Sequence, residues 1–145
     1  MFEHILVVCI GNICRSPVAE ALLKQGLQGS GKKISSAGIS AIVGEAADPS
    51  SIELMAAKGV DLNSHVARQL DRSMIGQAEL ILVMEQSHIE AITKMAPEAR
   101  GKTMLLGKWN NNAEIPDPYK KSTEAFAYSI KLIEQGVTSW LKYLK

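Results

Sequence analysis

Ile5-Leu6-Val7-Val8-Cys9-Ile10-Gly11-Asn12-Ile13-Cys14-Arg15-Ser16-Pro17 is the stretch whose reading decides the fold. Four apolar residues lead into a cysteine. Five residues then separate that cysteine from an arginine, a serine and a proline. The run Val18-Ala19-Glu20-Ala21-Leu22-Leu23 that follows has helical character, and Pro17 suits the first helical turn, where no backbone donor is needed. The order is strand, tight loop, helix N-terminus. Such a loop aims free backbone N–H groups and the positive end of a helix dipole at one point, a geometry that receives a tetrahedral dianion. Cys9 begins the loop and Arg15 ends it. The sulfur is expected beneath the anion, with the planar guanidinium fork on two of its oxygens. Gly11 and Asn12 are residue types that tolerate the positive φ of an inward-turned loop.

The chemistry suggested is phosphoryl transfer to sulfur. A free thiol ionises near pH ~8.5, and helix N-termini or adjacent cations bring thiols down to roughly 3.5–7.5. Ser16 is placed to donate its hydroxyl to a thiolate. A cysteine closing a buried strand is also a common small core residue. The Gly, Asn and Ser-Pro in their particular places decide against that reading.

Cys9 to Pro17 resembles the signature loop of the low-molecular-weight protein tyrosine phosphatases, Cys-x-Gly-Asn-x-Cys-Arg-Ser-Pro. The resemblance covers essentially the whole chain. It is closest to the bacterial branch that serves capsule and exopolysaccharide tyrosine kinases. It implies that Cys9 is the nucleophile, and that Arg15 with the loop residues Ile10, Gly11, Asn12, Ile13, Cys14 and Ser16 binds phosphate. A second matching segment, Ser36-Ala37-Gly38, implies that Ser36 hydrogen-bonds Asn12. A third, Ser64-His65-Val66-Ala67-Arg68, implies the same of His65, making Asn12, Ser36 and His65 the support of the loop. Arg68 is read either as a brace of that region or as a surface ion-pair partner.

Asp117-Pro118-Tyr119 matches the family's Asp-Pro-Tyr, whose aspartate is the general acid. It lies in a long polar loop, residues 107–118, and loops of that length inside a domain are often functional. A phenolate is a poorer leaving group than a phenol, so an acid above the pocket is needed. Pro116 and Pro118 restrict the backbone around Asp117. The resemblance puts Tyr119 in the substrate cleft and residues 39–47 on its rim. Ile42 and Val43 stand there where many relatives carry an aromatic, so aliphatic contact with the substrate ring is expected. Lys120 and Lys121 are either solvated surface or an attraction for acidic sequence around a phosphosite.

The rest of the chain supplies scaffold. At 145 residues with 46% hydrophobic residues, one domain over residues 1–145 with a real core is expected. Leu80-Ile81-Leu82-Val83-Met84 reads as a strand buried on both faces. Ile34 to Ala37 and Thr103 to Leu106 read as two further strands. Asp48-Pro49 starts a helix, with Ile52, Met55 and Ala56 on one face. Asp71 caps a short helix, and residues 85–95 form another with Ile89 and Ile92 inward and His88 outward. Ser122 caps a last helix whose Phe126, Ile130, Ile133, Val137, Trp140, Leu141 and Leu144 share a face. Strands alternate with helices. The fold class is therefore α/β: a four-stranded parallel sheet flanked by helices on both faces, with the phosphate-binding loop after strand 1.

A net charge of +1 and few aromatics argue against a nucleic-acid partner. No apolar run approaches the ~20 residues of a membrane helix, so no membrane insertion is expected. Two cysteines and no signal-peptide pattern fit the cytoplasm. No metal and no cofactor is expected, since Arg15 and the helix supply the positive charge. The reading is hydrolysis of protein phosphotyrosine through a phosphocysteine, with a bacterial tyrosine autokinase of polysaccharide export as the implied partner. Arsenate reductase on the same fold, a phosphocysteine carrier and a catalytically dead binding module are the alternatives. The first lacks the further cysteines of its thioredoxin-linked form, the second needs neither Arg15 nor an acid like Asp117, and the third would be expected to lose Cys9 or Asp117. Cys14 is read either as a trap for oxidised Cys9 or as a residue packed beside the sheet.

Overall fold

The computed structural model describes residues 2–145. In chain order the elements are β1 (His4–Cys9), α1 (Ser16–Gly26), β2 (Lys33–Gly38), α2 (Pro49–Ala56), α3 (Arg72–Gln77), β3 (Leu80–Val83), α4 (Gln86–Met95), a 3₁₀ turn (Pro97–Lys102), β4 (Thr103–Leu105) and α5 (Thr123–Leu144). The strands lie in the order β2-β1-β3-β4, and every pair is parallel. The expected fold class is what is observed.

Because β1 lies between β2 and β3, both its edges are paired: Cys9 sits opposite Gly38 on one side, and Val8 opposite Val83 on the other. Strand side chains alternate between faces, and the two cores divide accordingly. Ile5, Val7 and Cys9 pack with Leu80 and Leu82 against Val18 and Leu23 of α1 and Ile130, Ile133 and Trp140 of α5. Leu6, Val8, Ile81 and Val83 pack on the other face against Ile75 of α3 and Ile92 of α4. All four residues of β3 are buried, as a doubly covered strand requires. Each such side chain contributes about 1.5–3 kcal/mol by leaving water.

Three helix starts follow their sequence signals. The carboxylates of Asp48 and Asp71 accept the N–H groups of Ser50 and Met74, and the Ser122 hydroxyl accepts that of Ala125. Each cap is worth about 1 kcal/mol. Two side chains depart from expectation. Ala56 is exposed, and Ser51 takes its place on the buried face of α2. His88 is buried at 1% exposure, not outward, because it folds back to cap its own helix.

The loop after β4 also differs from one long functional segment. An antiparallel bridge between Gly107 and Ala113 closes its first half. Trp109 there stacks on Tyr143 of α5, with ring centroids 4.3 Å apart. Only the second half reaches the catalytic end of the sheet. No helix among the described residues is long and apolar enough to cross a membrane.

Candidate active site

The loop between β1 and α1 is turned inside out by its carbonyls. Those of Cys9, Ile10, Gly11 and Ile13 accept the N–H groups of Ile39, Ser40, Ile42 and Asp48 at 2.8–3.1 Å. The Cys14 carbonyl accepts the Ser51 hydroxyl at 3.1 Å, and the Asn12 carbonyl meets His65 Nε2 at 2.6 Å. A trans peptide directs its N–H opposite to its C=O. With the carbonyls of residues 9–14 all held outward, the N–H groups of residues 10–15 face the middle of the loop. This ring of donors, closed by the first turn of α1, suits an anion.

Asn12 is the hub that keeps the ring in shape. It is wholly buried and left-handed, with φ +59°. Gly11 is not; the positive φ expected of both residues falls on Asn12 alone. Arg68 N–H donates to Asn12 Oδ1 at 3.0 Å, which settles the orientation of the amide. Its Nδ2 then donates to Ser16 Oγ at 2.7 Å and to Ser36 Oγ at 3.0 Å. Ser36 passes its own hydrogen to Glu20 Oε1, and Arg68 Nε holds the Ser36 carbonyl at 3.0 Å. Asn12, Ser36 and His65 are thus brought together as expected, and Arg68 proves to be a brace. A groove of about 360 Å³ behind the network is lined by Glu20, Ser36, His65 and Arg68. It is larger than the catalytic cleft but reaches only the back of the loop.

Cys9 Sγ lies 2.9 Å from Ser16 Oγ. Ser16 already accepts from Asn12, so its hydrogen is free to point at the sulfur. A hydroxyl donor stabilises a thiolate both as attacker and as leaving group. Cys14 is buried and free. Burial, then the nearby Asp48, Cys9 and Asp117, push its thiol well above the ordinary range, against the pull of Arg15.

Arg15 is buried at 1% exposure, yet its guanidinium is only partly used. NH1 donates to Glu85 Oε2 at 2.6 Å and to the Ile115 carbonyl at 2.7 Å. Nε finds no hydrogen-bond partner among the described residues. NH2 lies 3.7 Å from Asp117 Oδ2. A buried donor without a partner calls for an explanation. Here Nε and NH2 form the edge of the fork available to phosphate, while NH1 is committed to the protein.

That commitment also fixes the loop carrying Asp117. Ile115, fully buried, donates its N–H to the Met84 carbonyl and accepts from Arg15. The Pro116 carbonyl accepts Ser129 Oγ of α5 at 2.8 Å. Asp117 Oδ1 takes the Tyr119 N–H at 3.1 Å. Oδ2 is left near Arg15, and the side chain is 42% exposed. Cys9, Arg15, Ile42, Asp117 and Tyr119 line one cleft of about 160 Å³ together with the loop residues Ile10, Gly11, Ile13 and Cys14. Val43, expected beside Ile42, does not line it. It is 68% exposed on the outer rim, at the corner of a turn that the Glu45 N–H closes onto the Ile42 carbonyl at 3.1 Å.

Sequence reasoning missed Glu20, Gly38, Glu85 and Ile115. Gly38 sits so close under the loop that a Cβ there would lie 2.5 Å from the Ile10 carbonyl oxygen. Its place in Ser36-Ala37-Gly38 was the available signal. Glu20, Glu85 and Ile115 carry none, being ordinary residues brought in by folding.

Comparison with known proteins agrees with this geometry. The family model described as low molecular weight phosphotyrosine protein phosphatase matches residues 4–145. The chain belongs to that family. Among its relatives, the low molecular weight protein-tyrosine-phosphatase Wzb of Escherichia coli strain K12 is 49% identical over 144 residues, covering 99% of this chain and 97% of that one. The structure of Vibrio vulnificus Wzb in complex with benzylphosphonate superposes with a TM-score of 0.94 at 46% identity, covering 99% of both chains. The structure of Wzb from Escherichia coli K30 in complex with sulphate gives a TM-score of 0.95 at 48% identity over the full length of both. As a low molecular weight phosphotyrosine protein phosphatase, the chain is a phosphoric-monoester hydrolase working through a cysteine nucleophile. Hydrolysis is favoured over the arsenate-reductase and carrier alternatives.

Proposed function

We propose that this phosphatase acts on the phosphotyrosines of a bacterial tyrosine autokinase of polysaccharide export, in the cytoplasm, with residues 1–145 as one catalytic domain. Cys9 is its nucleophile, Arg15 its phosphate clamp and Asp117 its general acid. The observation that carries the assignment is the convergence on one cleft of a thiol, a ring of inward amides, a guanidinium edge whose Nε has no hydrogen-bond partner among the described residues, and a half-exposed carboxyl.

In the first step the Cys9 thiolate attacks phosphorus from below. An S–P bond forms as the P–O bond to tyrosine breaks, and Asp117 gives its proton to the departing phenolic oxygen. In the second step Asp117 takes a proton from water. The water oxygen bonds to phosphorus, the S–P bond breaks, and the thiolate leaves onto the Ser16 hydroxyl. Inorganic phosphate is released. The loop amides and Arg15 carry the equatorial charge through both steps without reorganising, because Asn12, Ser36 and His65 hold the amides beforehand while Glu85 and the Ile115 carbonyl hold Arg15. Ile42 and Tyr119 flank the substrate ring. The bacterial branch of the family, which the aliphatic rim resembles, supports the autokinase as partner.

Hydrolysis of p-nitrophenyl phosphate in EDTA is the test, followed by release of phosphate from the autophosphorylated kinase. Cys9→Ser is expected to abolish turnover and Asp117→Ala to lower kcat about 10²–10⁴-fold. Undiminished turnover in Cys9→Ser would refute the assignment.

A further inference from the structure

We propose that His88 is a positioning residue for the phosphate clamp: through Glu85 it keeps Arg15 NH1 occupied, so that Nε and NH2 stay turned to phosphate. The proposal rests on Arg15 as the phosphate ligand.

His88 and Glu85 form a reciprocal cap at the start of α4. The Glu85 backbone carbonyl accepts the N–H of His88 at 2.9 Å, and Glu85 N–H donates to His88 Nδ1 at 3.3 Å. With Nδ1 accepting, the neutral ring carries its hydrogen on Nε2. That nitrogen is buried and has no hydrogen-bond partner among the described residues. It lies 3.6 Å from Glu85 Oε2, the same oxygen that accepts Arg15 NH1 at 2.6 Å. A helix cap needs no imidazole, and a spare buried donor is not kept for stability.

Its location gives it a use. The Glu85 carboxylate stands between His88 and Arg15: Arg15 NH1 donates to Oε2 at 2.6 Å, and the His88 Nε2–H faces the same oxygen from 3.6 Å, an electrostatic contact rather than a hydrogen bond. Arg15 NH1 continues to the Ile115 carbonyl, and Glu114 Oε2 accepts the Gln86 N–H at 2.7 Å. The start of α4, the clamp and the acid loop are thereby tied together. If Glu85 swings away, NH1 loses one of its two acceptors and the guanidinium is free to rotate its fork off the phosphate.

The charged groups facing His88 are Arg15 of the loop, Glu85 of its own cap, and Asp117 and Glu114 of the acid loop. Burial and then Arg15 hold the imidazole below its ordinary range, against the three carboxylates. The neutral donor form is therefore the one present around neutral pH.

The test compares wild type, His88→Leu, His88→Asn, Glu85→Gln and the Glu85→Gln/His88→Leu double variant. The readouts are kcat and KM for p-nitrophenyl phosphate and, by calorimetry, the Kd of inorganic phosphate, which needs no turnover. His88→Leu is expected to raise KM and phosphate Kd together by about threefold to tenfold, with a smaller change in kcat. Asparagine can accept from Glu85 N–H and donate to its carboxylate, so His88→Asn should stay within about twofold of wild type. Against Glu85→Gln, adding His88→Leu should change Kd by less than about twofold, because the two act in series. An unchanged Kd in His88→Leu would overturn the proposal, as would an equal defect in His88→Asn or an equal effect in both backgrounds. If His88→Leu does not fold, the comparison passes to His88→Met, which also removes the donor and for which the same rise in KM and phosphate Kd is expected. Cys9→Ser that still turns over substrate would instead refute the parent mechanism, leaving the phosphate Kd comparison readable.

Discussion

Replacing Asn12 tests the idea that one buried amide holds the catalytic loop in its shape. Asn12→Ala removes three hydrogen bonds, to Ser16, Ser36 and the Arg68 N–H. At about 1 kcal/mol each these amount to about 3 kcal/mol. The residue also sits at φ +59°, where any Cβ, that of asparagine or of alanine, costs ~1–2 kcal/mol that glycine avoids. Asn12→Ala is therefore expected to lose about 3 kcal/mol, a large share of the ~5–15 kcal/mol that a domain possesses. Asn12→Gly loses the same bonds without the steric strain and should be more stable than alanine by about 1 kcal/mol, after its own backbone entropy is counted. Urea denaturation of the three proteins measures both numbers. The same variants should lose about 10–100-fold in kcat, because the Ser16 hydrogen is no longer steered to sulfur and the amides drift. A stability loss below about 1 kcal/mol in Asn12→Ala, or no advantage for glycine, would refute the hub.

Gly38→Ala places a methyl 2.5 Å from the Ile10 oxygen and 3.0 Å from Asn12 N, both backbone atoms that cannot step aside alone. Displacement of the loop by about 1 Å should cost on the order of 10–100-fold in kcat/KM, and activity within twofold of wild type would show that the loop tolerates the shift. Burial and neighbouring negative charge keep the Cys14 thiol protonated at neutral pH, so limiting iodoacetamide should label Cys9 and spare Cys14. Fragment masses of the labelled peptide decide between them, and label on Cys14 would contradict its burial.

Much of this protein was legible along the chain because its signals are local. An apolar run, a Gly-Asn turn, a Ser-Pro helix start and four doubly buried residues at 80–83 each report on neighbours a few positions away. Alternation of strands and helices then left few topologies, and the parallel sheet followed. The motifs carrying Cys9, Arg15, Ser36, His65 and Asp117 were readable through family resemblance, and folding does bring them to one loop and its cleft.

Reading failed where a residue's role depends on what comes to face it. His88 lies on a short helix whose sequence is amphipathic enough to place it outward, but its ring serves Glu85 and is buried. Val43 and Ile42 are equivalent in composition, and only the local direction of the backbone separates the cleft from the rim.

By itself, then, the order of residues determined which chemical groups are present, the parallel sheet, and the position of the loop at the end of β1. Tertiary structure alone decided the direction of the loop amides. Their inward turn is imposed by donors from residues 39–65 that hold each carbonyl outward. It also decided the division of Arg15 between Glu85, 70 residues away, Ile115, 100 residues away, and the open cleft. Hydrogen bonds are satisfied across space rather than along sequence, so the partners of a buried polar group are known only once the chain has closed around it.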